Sequence, residues 1–307
     1  MNTLIKLKST LLVLLFTVAI SFTKSCGTVS FGQQADSLFL VTQNSAISYD
    51  LKKPYEKHFL PYVLAEISGL TYTGKTLLAV DDETGKIFEY NPKKREIVHS
   101  IEFANPGDYE GVELVKNKVY VLESDGDIYA FDFSSSKKEM HRKHENKLSR
   151  ENDTEGLGYD PYLNRLLIVC KEKGDVDGNN AKGRSVYTFD LGTEKLSSEP
   201  LFTIRTKDLT KFWSKHKSLE YDQKRIKFKP SAIAFHPIEE TFYLLSSVGK
   251  MLVVVDRNGK IKATYPIAPS VLGQPEGICF SSNGDMFISS EGEGDRGYIL
   301  KFRMRKK

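Results

Sequence analysis

Asp153-Thr-Glu-Gly-Leu-Gly-Tyr159, followed by the apolar run Arg165-Leu-Leu-Ile-Val-Cys-Lys-Glu172, is the stretch that decides the fold, because its shape recurs. Glu66-Ile-Ser-Gly-Leu-Thr-Tyr72 precedes Leu77-Leu-Ala-Val-Asp-Asp82, and Asp108-Tyr-Glu-Gly-Val-Glu-Leu114 precedes Val119-Tyr-Val-Leu-Glu123. Gln274-Pro-Glu-Gly-Ile-Cys-Phe280 precedes Met286-Phe-Ile-Ser-Ser-Glu291, and a degenerate copy, Lys229-Pro-Ser-Ala-Ile-Ala-Phe235, precedes Phe242-Tyr-Leu-Leu-Ser-Ser247. With the Glu (or Ser231) as the mark, the copies fall at 66, 110, 155, 231 and 276, so the gaps are 44, 45, 76 and 45. A period of about 45 residues built from short strands points to propeller blades. One small sheet cannot bury both of its faces alone, and stacking several around an axis covers them.

Each unit reads the same way. A strand with the Glu-Gly pair comes first, then an apolar run, then an aromatic and β-branched strand such as Lys86-Ile-Phe-Glu-Tyr90 or Met251-Leu-Val-Val-Val255. Turn residues separate them, as in Asp125-Gly126, Asn258-Gly259 and Asn283-Gly284. The expectation is an all-β propeller of five or six four-stranded blades, the sixth depending on what the 76-residue gap holds. Tyr55–Leu60, with Ile47–Asp50, should complete the last blade and so remove two open sheet edges.

The repeat pieces Glu66-Ile-Ser-Gly69, Tyr109-Glu-Gly111, Asp153-Thr-Glu-Gly156 and Pro275-Glu-Gly-Ile278 resemble those of the SdiA-regulated (YjiK-like) family of bacterial envelope β-propellers. The likeness runs over about residues 60–303. It implies a propeller in the cell envelope and no established reaction.

The chain opens with a targeting pattern. Lys6 and Lys8 precede the uncharged run Leu11–Ile20, which is too short to span a bilayer comfortably. Thr23-Lys-Ser-Cys26-Gly then reads as a lipoprotein processing site, with an ordinary secretory signal as the alternative. Residues 1–25 are accordingly expected to be a signal peptide, 26–37 a small and polar tether, and 38–307 the propeller. Cys26 would carry the lipid, on the periplasmic side of a Gram-negative envelope, and would be the only membrane contact. Losing Lys6, Lys8 and Lys24 but no acid lowers the formal charge from +4 to +1, so the basic balance does not argue for nucleic acid. A monomer is expected. Cys170 and Cys279, each inside an apolar strand, read as buried free thiols.

Two segments break the pattern. Residues 137–150 hold six Lys/Arg against two Glu, and 207–229 hold eight against three acids, with the only Trp. Leu209, Phe212 and Trp213 share a face at helical spacing, so about 207–228 should be an inserted helical segment, docked on the propeller or presenting a partner surface.

Chemistry is expected at the channel mouth. Glu66, Glu110, Glu155 and Glu276 should converge there as ligand-binding residues. Glu110, Glu155 and Glu276, joined by Glu123 and Glu172 from the ends of the second strands, are the candidate metal ligands, with Asp82 and Glu291 near the same rim. Oxygen ligands without clustered His or Cys favour Ca²⁺ or Mg²⁺ over zinc. The alternative is architectural: each Glu would cap backbone N–H groups of a neighbouring blade. The Asp175-Val-Asp177-Gly-Asn179 loop lacks the Gly and Glu of a calcium hand and reads as a polar hairpin. There is no Gly-x-Ser-x-Gly and no His-Glu-x-x-His, and the six His share no repeat position. The reading is therefore a propeller that binds a small ligand or an envelope protein at its mouth, around a Ca²⁺. A metal-dependent hydrolase of phosphoesterase or lactonase type is the alternative.

Overall fold

Five antiparallel sheets stand around one axis in the computed structural model, which describes residues 47–134, 141–215 and 226–305. The described residues all lie within one compact unit, Leu40–Lys307. The expectations for residues 1–25, for Cys26, for the tether and for the first part of the propeller, 38–46, fall outside the described residues. So do 216–225 of the inserted segment.

The first blade comprises β2 (Ile67–Tyr72), β3 (Leu77–Asp81), β4 (Lys86–Asn91) and β5 (Glu96–Glu102), in that order from the axis outward. The second comprises β6 (Tyr109–Val115), β7 (Lys118–Glu123), β8 (Ile128–Asp132) and β9 (Arg142–His144). In the third, β10 (Thr154–Asp160), β11 (Arg165–Cys170) and β12 (Arg184–Asp190) are followed by two short outer pieces, β13 (Lys195–Leu196) and β14 (Phe202–Ile204), both paired to β12. The fourth comprises β15 (Lys229–Phe235), β16 (Phe242–Val248), β17 (Met251–Val255) and β18 (Ile261–Pro266). The fifth carries β19 (Gln274–Phe280), β20 (Met286–Glu291) and β21 (Tyr298–Phe302). Its outer strand is β1 (Glu56–Phe59), paired antiparallel to β21 from Glu56↔Lys301 to Phe59↔Tyr298.

The second strands show why their apolar runs are continuous. Leu167 and Val169 of β11 pack on Ile233, Leu244 and Val253 of the fourth blade, while Leu166, Ile168 and Cys170 pack on Leu122 and Ile128 of the second. Neighbours on both sides bury both faces, so the alternation of a half-exposed strand disappears. Cys170 and Cys279 are free and buried.

Among the described residues the long gap holds no sixth blade. Its described part comprises the extended β11–β12 connection, the split outer strand and helix α1 (Thr206–Lys215). Leu209 and Trp213 of α1 are buried against the fourth blade, and the Trp213 indole N–H donates to Thr264 Oγ1 on β18. The helix aromatics are thus docked on the propeller.

The closing strand differs in one part from expectation. Residues 47–50 form no strand. Ile47 and Tyr49 instead enter the core between the fourth and fifth blades. Ser48 O accepts the Arg305 N–H at 2.7 Å, Ser48 Oγ donates to Glu239 Oε1 at 3.0 Å, and the Tyr49 hydroxyl lies 2.7 Å from His236 Nε2. His236 Nδ1 accepts the N–H groups of Ile238 and Glu239, so Nε2 carries the ring proton. Burial holds this imidazole below its ordinary pKa, in its neutral form.

Candidate functional site at the acidic channel mouth

Every innermost strand carries a β-bulge where it begins. The pairing skips from Ile67 to Gly69, from Tyr109 to Gly111, from Thr154 to Gly156, from Pro230 to Ala232 and from Pro275 to Ile278. The extra residues are Ser68, Glu110, Glu155, Ser231 and the pair Glu276–Gly277. This register corrects the alignment read from sequence. Glu66 lies outside β2, two residues ahead of the bulge, and Ser68 holds the position that Glu110 holds in the second blade.

The bulged residues divide into two kinds. Ser68 Oγ donates to Tyr109 O at 2.6 Å, and Ser231 Oγ donates to Pro275 O at 2.8 Å, each across to the next blade. The serines therefore serve as the interblade ties. Among the described residues, no backbone N–H donates to the carboxyls of Glu110, Glu155 or Glu276. The capping role expected of the Glu residues falls to serine hydroxyls, acting on carbonyls.

Glu110, Glu155 and Glu276 line one axial cavity of about 10 Å³, together with Ser68 and the glycines that follow the bulges. That is space for a single water molecule or ion. Glycine next to the bulge has a steric cause. A Cβ on Gly156 would stand 2.8 Å from Ala232 Cα, and one on Gly111 would stand 2.9 Å from Leu157 N.

Electrostatics set the three carboxyls apart. Burial pushes Glu155 up to about 7 even though the Lys171 ammonium, hydrogen-bonded to Glu155 Oε1, opposes the shift. Glu110 is raised well above the ordinary carboxyl range, by burial first and then by the charges of Glu155 and Asp108. Glu276 is raised well above it too, by burial and by Glu155 and Glu291, against Lys171 and Lys250. Like charges in a poorly solvated space cannot all ionise without a compensating cation or proton. Toward the rim, burial raises Glu291 to about 7, helped by Glu66 and Asp82. Burial likewise raises Asp82 to about 6, helped by Glu83 and Glu66. Glu66 therefore belongs to this outer group and does not line the axial cavity.

Glu123 and Glu172 do not line the cavity either. Glu172 is paired with Lys229 and Arg184. Glu123 groups with Asp125 and Asp127 in the β7–β8 hairpin, where one carboxylate oxygen from each lies within 4.8 Å of the others, a set that could hold a metal ion. Lys143 Nζ already stands 2.9 Å from Glu123 Oε2 and 2.9 Å from Asp127 Oδ2. The sequence pointed to Glu123 alone. The Glu-x-Asp-x-Asp spacing at 123–127 was the signal available for the rest.

The family model described as SdiA-regulated matches residues 43–294, nearly all of the propeller. The chain belongs to the SdiA-regulated family. No curated protein matches it in sequence. In structure it is similar to the glutaminyl cyclase of Myxococcus xanthus, with a TM-score of 0.53 at 12% identity over 82% of this chain and 95% of that one. A protein of unknown function from Bacteroides thetaiotaomicron gives 0.49 at 9% identity, over 80% of this chain and 70% of that one. At these identities the likeness is one of fold. Among the described residues, no helix of this SdiA-regulated propeller is long and apolar enough to cross a membrane.

Proposed function

We propose that the protein is a lipid-anchored periplasmic propeller that binds a ligand or an envelope protein at its acidic mouth, around a Ca²⁺ held by Glu110, Glu155 and Glu276. The observation that carries this is the convergence of three raised carboxyls on a cavity of about 10 Å³, with Lys171 bonded to only one of them. Oxygen-only donors at an ion-sized space suit a hard cation. A cation entering there displaces protons from Glu110, Glu155 and Glu276, so its affinity rises with pH. The rim carboxyls Asp82 and Glu291, with Glu66, then offer acceptors for a cationic or hydroxyl-rich partner group. Lipidation at Cys26 places this mouth outside the cytoplasm in the reading.

The test is metal content and melting temperature of the chain from Gly27 onward, before and after chelation, beside Glu110→Gln and Glu276→Gln. Near-stoichiometric Ca²⁺, a melting temperature lowered by chelator, and loss of that response in both variants are expected. A chelator-insensitive melt with no bound metal refutes the cation. The hydrolase reading draws on Glu291, whose value near 7 suits a general base beside a cation. It requires Ca²⁺-dependent turnover of phosphate esters or lactones that Glu291→Gln abolishes while Ca²⁺ binding persists.

A further inference from the structure

One edge of the propeller carries an uneven share of exposed aromatic and basic side chains. Among the described residues eight large hydrophobic side chains are exposed, and four of them, Tyr55, Phe59, Tyr62 and Val63, fall within nine residues. Tyr62, at 70%, is the most exposed of all. This is the stretch that contains β1, the outer strand of the closing blade. Its alternation points His58 and Leu60 inward and leaves Tyr55, Lys57 and Phe59 outside.

Basic residues are interleaved with these rings. Lys57 Nζ stands 3.7 Å from the Tyr298 ring centroid and 4.6 Å from that of Phe59, and the Arg303 guanidinium stands 3.4 Å from that of Tyr55. Lys52 and Lys53 are exposed just ahead of β1. Two further cations nearby are neutralised, Lys301 by Asp285 at 3.3 Å and Arg305 by Asp50 at 3.1 Å. Lys52, Lys53, Lys57 and Arg303 form no ion pair among the described residues. With the formal charge of residues 26–307 only +1, this concentration is local and belongs to one edge.

We infer that this edge rests on an anionic phospholipid surface. Charge complementarity selects the occupant: ammonium and guanidinium groups stacked on exposed tyrosine and phenylalanine rings match the headgroup layer, where amphipathic rings and cations both settle. The position in the chain agrees. The described chain begins at Ile47, eight residues ahead of Tyr55, and the acylation proposed at Cys26 lies further toward the same end of the sequence. A single lipid attachment, as proposed at Cys26, binds only marginally, and a polybasic face is the second contact that makes it stable. The docked edge would hold the propeller by its side. The inference does not depend on a cation at the mouth.

The experiment is flotation of the chain from Gly27 onward, which carries no acyl group, with phosphatidylcholine vesicles containing roughly one-third phosphatidylglycerol. Binding is expected to anionic vesicles only and to weaken as salt is added. Lys57→Glu and Arg303→Glu should each weaken it about fivefold or more. Tyr62→Ser should weaken it with an unchanged melting temperature, which separates loss of the contact from loss of the fold. Absence of binding, equal binding to uncharged vesicles, or indifference to all three substitutions overturns the inference. None of those outcomes touches acylation at Cys26 or the axial site, since neither is needed for the assay.

Discussion

Two acidic trios sit on this propeller, and they are built to opposite ends. In the hairpin trio, Glu123 and Asp127 share the Lys143 ammonium in two 2.9 Å contacts, and the Asp127 N–H bonds back to Asp125 Oδ1. One lysine thus serves two of its three acids, which are only partly buried. In the axial trio, Lys171 reaches Glu155 alone, Glu155 and Glu276 are 5% and 7% exposed, and all three carboxyls are raised. A cluster of acids alone does not make a site. The two differ in burial and in how many of the acids a lysine reaches.

Substitution can break or sharpen that contrast. The largest effect is expected from Gly156→Ala, which drives a Cβ into the Ala232 backbone and Val169 Cγ1. It should cost about 1–3 kcal/mol, as overpacking does. Thermal melting would report it, and the Ca²⁺ response should vanish because the bulge beside Glu155 is displaced. Smaller but more diagnostic is Glu110→Gln combined with Glu276→Gln. In chelator at pH 8 the double variant should melt above the parent, because Gln has no proton to take up on folding, whereas Glu110 and Glu276 have raised native pKa values and ionise more readily in the unfolded chain. In Ca²⁺ the order should reverse.

Lys143→Met is the reciprocal experiment. It should lower stability by about 1–3 kcal/mol by leaving partly buried carboxylates unpaired. It should also create a weak lanthanide site at Glu123, Asp125 and Asp127, read as sensitised Tb³⁺ emission from Tyr129, whose hydroxyl donates to Glu123 at 3.2 Å. The pH response comes next. Folding raises the pKa values of Glu110, Glu155 and Glu276, so the protonated forms favour the native state. Their contribution is complete below the unfolded value near 4.5 and is lost as pH climbs through about 7 for Glu155 and through the raised values of the other two. The melting temperature in chelator should therefore fall from pH 5 to 8, and saturating Ca²⁺ should flatten that fall. The smallest effect belongs to Glu66→Gln. Outside the cavity, it should leave the Ca²⁺ response intact and change stability by less than about 0.5 kcal/mol.

The blades were legible in the sequence because the apolar runs Leu166–Cys170 and Phe242–Leu245 repeat with turn chemistry between them, and periodicity is a local property. The axial trio was legible for the same reason, since Glu110, Glu155 and Glu276 each precede glycine. Glu66 was misplaced because Glu-Ile-Ser-Gly mimics the pattern, whereas the bulge that counts is defined only by pairing Ile67 and Gly69 with β3. Lys143 was invisible as a counter-ion. It lies 20 residues from Glu123, and only the β8–β9 register brings it there. The Tyr49–His236 contact spans 187 residues and leaves no local trace.

That last contact also sets a load path. A pull on the N-terminal end reaches Ser48 and Tyr49 before it reaches β1. Among the described residues, the first bonds to bear tension are those to Glu239, His236 and Arg305, and only then the ladder to β21. The ring is shut by a clasp with a catch ahead of it, so drag on a tethered molecule must spring the catch before it can peel the blade.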